Sequence, residues 1–139
     1  MLIKGVVLDI ERSLHKVIKN RSDATVQLLL DISDANKNAE VDGRTPLVLA
    51  LNERKVSLVQ AHVASPNVDV NLANERGFTS IVIAGEKQCM DILLQSARVD
   101  LRCRDREGHT PLEWGAIKDH KVALTKFLRA AVRHNNAAL

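Results

Sequence analysis

Three short segments of this chain share one pattern: Gly43-Arg44-Thr45-Pro46-Leu47, Gly77-Phe78-Thr79-Ser80-Ile81 and Gly108-His109-Thr110-Pro111-Leu112. From Gly43 to Gly77 is 34 positions, and from Gly77 to Gly108 is 31. A recurrence at that period constrains the fold more than any other feature, because it marks stacked supersecondary units, none of which buries its apolar side alone. The pattern also has a local logic. Glycine reaches positive φ without a Cβ clash and suits the end of a tight turn. Each threonine can accept a bond from an orphan amide at a helix start. Pro46 and Pro111 then stand at the first helical position, where a missing N–H costs nothing. Turn, cap and helix are expected in that order, three times.

Composition decides what such units are made of. The 139 residues suit one domain, and an apolar content of 45% can supply a core. An aromatic content of only 2%, with one Trp, two Phe and no Tyr, leaves Leu, Val, Ile and Ala to build it, which favours short packed helices over a sheet sandwich. The 20 Lys and Arg are interleaved with 17 Asp and Glu, the pattern of a solvated surface. No apolar stretch approaches the roughly 20 residues needed to span a bilayer, so no membrane insertion is expected. The run Val6-Val7-Leu8 is broken by Asp9 and lacks the cleavage site of a signal peptide. With Cys89 and Cys103 as the only cysteines, an intracellular setting, cytoplasmic or nuclear, is expected, and a monomer.

Along the chain, Val6, Ile10, Leu14, Val17 and Ile18 recur at helical spacing, with Glu11, Arg12, Lys16 and Lys19 on other faces. A second helix carries Val26, Leu28, Leu29 and Leu30 and stops in the turn formers from Ser33 to Asn38. Helix pairs then follow at about 46–53 with 56–63, 80–86 with 88–96, and 111–118 with 121–133. Between pairs, Val68-Asp69-Val70-Asn71-Leu72 and Val99-Asp100-Leu101 alternate apolar and polar residues, which predicts extended arms running into tight turns.

This arrangement resembles the ankyrin repeat. Glu40, Asn74 and Asp105 match the acid or Asn that opens the family signature, and Gly43, Gly77 and Gly108 its glycine. Thr-Pro-Leu is complete at Thr45 to Leu47 and at Thr110 to Leu112, with Ser80 and Ile81 standing in between. Ala50 and Ala84 match the alanine, which Gly115 replaces. The resemblance implies an all-α solenoid of about four helix-turn-helix units with extended hairpin arms in a single domain. A degenerate first repeat would span about 11–39, with Ser13-Leu14-His15 in place of Pro-Leu-His, and the others about 40–73, 74–104 and 105–134. The third is three residues short before Leu93-Leu94, so its first helix or turn is clipped at Gly85-Glu86-Lys87, which predicts local weakness. Where the family has Gly-His between helices, this chain has Arg54-Lys55 and Asp119-His120. Lys121, Thr125, Lys126, Arg129 and Arg133 are expected to give the last helix a polar outer side.

No catalytic constellation emerges. His15, His62, His109, His120 and His134 are scattered over different units without metal-ligand spacing, and no Gly-rich phosphate loop occurs, so no metal, cofactor or enzymatic activity is expected. His62 falls at a leucine position of the family and is expected to be a structural histidine; Cys89 is expected to be a buried, inert thiol. The family resemblance implies recognition of another protein by the concave face and hairpin tips. The expected contact residues are Arg44, Phe78 and His109 after the turn glycines, Asp42, Arg76 and Glu107 before them, and Trp114 on the following helix. Two readings of Trp114 stand open: core filling over Gly115, or an exposed anchor. Phe78 is an exposed contact or folds onto Val70 or Leu101. The alternative function is nucleic-acid or anionic-surface binding by Arg98, Arg102, Arg104, Arg106 and the cations of the last helix, against which stand the acids among them and the scarcity of aromatic rings for base stacking.

Overall fold

The computed structural model describes residues 4–20, 23–31, 36–84 and 87–137. They form eight helices: α1 (Lys4–Asn20), α2 (Asp23–Asp31), α3 (Pro46–Asn52), α4 (Val56–Ala64), α5 (Ser80–Ile83), α6 (Lys87–Gln95), α7 (Pro111–Ile117) and α8 (Lys121–Ala137). Residues 1–69 and 70–139 make two compact units of two helix pairs each. In the first unit α1 packs on α3 and α2 on α4; in the second α5 packs on α7 and α6 on α8. First helix meets first helix and second meets second, the stacking that a repeated helix-turn-helix unit requires. Each unit has its own apolar core. Leu14, Ile18, Val26, Leu49, Leu58 and Val59 are buried in the first, and Ile81, Cys89, Leu93, Val99, Phe127 and Ala130 in the second.

The repeated turn behaves as its residues dictate. Gly43, Gly77 and Gly108 all have positive φ, at 71°, 80° and 89°. At Gly77 a Cβ would in addition lie 2.8 Å from the Asp105 Cα and 2.9 Å from the Arg106 nitrogen, so the bare glycine lets the tip of the third repeat touch the backbone of the fourth. The Arg106 amide uses that closeness to donate to the Arg76 carbonyl. Thr45 Oγ1 accepts from the Val48 amide. Thr110 and Glu113 form a full capping box, hydroxyl to amide one way and carboxylate to amide the other. Thr79 departs from expectation: it makes no side-chain cap bond, and its hydroxyl lies 3.5 Å from Cys103 Sγ instead.

The arms differ from the expected extended form. Among the described residues there is no strand, only an isolated bridge between Val41 and Arg44. Asparagine side chains hold the arms together instead. Asn38 accepts from the Asp69 amide and donates to the Asn67 carbonyl. Asn71 repeats both bonds one unit later, with the Asp100 amide and the Arg98 carbonyl. An amide side chain offers a donor and an acceptor on one planar group, so it can bridge two backbones that are too far out of register for a ladder.

The last helix also differs from a uniformly polar cap. Lys121, Thr125, Arg129 and Arg133 are exposed as expected, but Val122, Leu128 and Val132 are more than half exposed among them. Lys126 pairs with Asp91. Where the inter-helix glycine is missing, Arg54 and Asp119 take its left-handed conformation, with φ of 55° and 48°. His120 then accepts the Ala123 amide at Nδ1 and caps α8, so Asp119-His120 forms the turn between the two helices.

Candidate interaction surface

Two of the tips are built by one carboxamide or carboxylate each. Asn74 Oδ1 accepts from the amides of Arg76 and Phe78, and Asp105 Oδ1 from those of Glu107 and His109. The amides of Asn74 and Asp105 donate in turn to the carbonyls of Phe78 and His109. The expected contact residues Arg76 and Glu107 occupy the apices of these loops and are exposed. The tip of the second repeat is simpler: Val41 and Arg44 exchange amide bonds around Asp42 and Gly43, both at positive φ, and Asp42 and Arg44 are exposed.

Phe78, His109 and Trp114 meet beneath the third and fourth tips. The Phe78 ring stands edge-on to Trp114 with centroids 5.2 Å apart, and His109 approaches the same indole at 5.4 Å. Lys118 lies over the Trp114 ring at 5.4 Å. Edge-to-face pairs of this kind add to the burial of the rings themselves. The indole N–H donates to Asp105 Oδ2 at 2.5 Å, so the carboxylate that folds the tip also orients the ring. Phe78 therefore packs on Trp114 and is half-buried. A Cβ at the small Gly115 would face Leu124 and Phe127 on α8. No local sequence signal marks this cluster, because its members are separated by up to 36 positions, Phe78 to Trp114, and meet only when one repeat stacks on the next.

Burial pushes the Asp105 carboxyl up, but the His109 amide, the Trp114 indole, the Glu107 amide and the nearby His109 ring outweigh it and leave the group below its ordinary value of 3.8. His62 is fully buried, and its Nδ1–H donates to the Leu58 carbonyl at 2.6 Å. Burial lowers its pKa below 6.5; the Leu58 bond opposes this and the charge of His15 reinforces it. Among the described residues its Nε2 has no partner, which fits a structural imidazole at a leucine site. Cys89 is buried and Cys103 half-buried, and neither is in a disulfide. Among the described residues no three His, Cys, Asp or Glu side chains are grouped as metal ligands, and no helix is long and apolar enough to cross a membrane.

No protein-family model matches this sequence, and no curated protein matches it. Its backbone is similar to the crystal structure of EF0377, an ankyrin repeat protein, with a TM-score of 0.72 at 23% sequence identity. The likeness covers 84% of this chain and 60% of that one. The chain has the ankyrin-repeat fold, an all-α repeat solenoid.

Proposed function

We propose that this chain is a non-catalytic module that binds another protein through its tips and the adjoining first helices. The observation that supports this most is the construction of the third and fourth tips. Loops usually pay for binding with lost freedom, yet here Asn74, Asp105 and the ring cluster hold the backbone beforehand while the charged ends of Arg76 and Glu107 stand in solvent. Asp42 and Arg44 present a second pair of opposite charges on the tip of the second repeat. His109, one-third exposed and flanked by Asp105 and Glu107, and the uncovered edges of Phe78 and Trp114 complete the proposed contact set. The basic-surface alternative gains no support, since Arg104 is bonded to the Gly108 carbonyl and lies 3.7 Å from Glu113, while Lys126 is paired with Asp91.

The reading is tested by capturing partners of the tagged chain from its native cell, before and after nuclease treatment. Proteins enriched on the wild type should be lost from the Arg76→Ala/Glu107→Ala variant and kept by Gln60→Ala, a change on an exposed face of α4. Equal enrichment on all three chains, or enrichment that nuclease abolishes, would overturn it.

A further inference from the structure

The first unit contains a cleft of about 390 Å³ between α1 and the tip of the second repeat. One wall is a basic stripe. Arg12, His15, Lys16 and Lys19 recur at i, i+3, i+4 and i+7, so they share one face of α1. The opposite wall is the tip, with Arg44 and Asp42, and the half-buried Val41 supplies apolar surface between them over the buried Leu49. His15 ties the two walls together, its Nε2–H donating to the Arg44 carbonyl at 2.8 Å.

The charge of this cleft is out of balance with the rest of the chain. Four permanent cations, Arg12, Lys16, Lys19 and Arg44, face one carboxylate, Asp42, and the difference of +3 equals the formal net charge of all 139 residues. Among the described residues none of the four forms an ion pair. Two cations elsewhere are paired, Lys126 with Asp91 and Arg104 with Glu113. Like charges three and four positions apart on a helix repel. An anion entering the cleft relieves that repulsion and meets two guanidinium groups able to grip a carboxylate bidentately.

We infer that this cleft docks an acidic segment of a protein partner, carboxylates against Arg12, Lys16, Lys19 and Arg44 and an apolar side chain on Val41. The inference rests on the protein-binding reading above and names the chemistry of its partner. A polynucleotide fits less well, because the aromatic ring in the lining, His15, is buried and bonded to the Arg44 carbonyl and so is not open for a base to stack on, whereas an aliphatic side chain matches the half-buried Val41. The volume lies at the small end of the range of roughly 300 to 1,000 Å³ typical of ligand pockets, enough for a side chain and its neighbours but not for a helix.

The test is fluorescence anisotropy on the full chain with three labelled probes: a short peptide alternating Glu and Leu, its Lys-for-Glu counterpart, and a single-stranded oligothymidine of equal charge, with phosphatidylserine vesicles as a fourth arm read by co-sedimentation. The acidic peptide should bind, weaken as salt rises, and lose about tenfold or more in affinity in Lys16→Glu and in Arg44→Glu. Arg102→Glu, on the other unit, should bind as the wild type does, and thermal melts should show all three variants folded; the neutral Lys16→Gln/Arg44→Gln pair replaces any that is not. The inference is overturned if the acidic peptide fails to bind, if the α1 and tip variants bind it normally, or if oligothymidine or vesicles bind as tightly by the same residues. Loss of captured partners from the Arg76/Glu107 variant alongside a silent peptide would sink this inference and leave the broader reading standing. Peptide binding without any captured protein would do the reverse.

Discussion

The first helices of the second and third repeats start from nearly the same sequence signature and end differently. Helix α3 runs seven residues and α5 four. Pro46 enters α3 with its φ already set and no donor to satisfy, and Thr45 caps the turn. At the start of α5, Ser80 is buried and donates its hydroxyl to the Val70 carbonyl at 2.5 Å, while Thr79 turns to Cys103. Both polar groups that should start the helix are engaged with neighbouring arms. The difference teaches that a capping residue serves the helix only when nothing nearby competes for its hydroxyl.

The largest expected effect separates the two turn glycines. Gly77→Ala should cost about 2 to 4 kcal/mol, the sum of a left-handed conformation and a backbone collision with Asp105, whereas Gly43→Ala, with open space around it, should cost only about 1 kcal/mol. Equal losses in chemical denaturation would mean that the close approach of the third and fourth tips contributes nothing. Next, amides of α5 should exchange with deuterium about tenfold or more faster than those of α3, a gap of about 1.4 kcal/mol in local opening. Equal protection would mean that the four-residue α5 is locally as stable as α3.

The better-built second repeat has a flaw of its own. His62→Leu should raise stability by about 1 kcal/mol, because it removes a buried ring nitrogen without a partner. Since the folded pKa of His62 is lowered, its neutral form contributes stability that is full above about pH 6.5 and is lost as pH falls through the folded value; melting temperature against pH should therefore slope less in the variant over that window. An unchanged slope would assign the acid limb to other groups. For Asp105 the window is lower, with stability present above about 3.8 and lost on further acidification.

Smaller effects sharpen the contrast. Ser80→Pro copies the proline found at Pro46 and Pro111 but removes a buried hydrogen bond, so a gain of about 0.4 to 1 kcal/mol is offset by a loss of about 1, and the melting temperature should hardly move. A clear rise would show that the Ser80 hydroxyl does not anchor the arm. Arg54→Gly should stabilise the second repeat by about 0.5 kcal/mol through relief of its left-handed backbone, and widen the gap with the third. Destabilisation would indicate that the Arg54 side chain has a role its exposure does not suggest.

What the sequence by itself determined is what a few adjacent residues decide. Glycine at three turns, Thr45 and Thr110 as caps, the shortness of the third repeat's first helix and His62 in a leucine slot were all legible, because backbone sterics and helix periodicity act within one or two turns of chain. Stacking decided the rest. The Asn38 and Asn71 clamps, the Trp114 cluster and the closure of the basic stripe on α1 by Arg44 join residues 27 to 36 positions apart, so no local propensity points to them. Lys16 and Lys19 read along the chain as an ordinary solvated helix face. They become one wall of a charged cleft only because α1 packs on α3, which brings the next repeat's turn across from them.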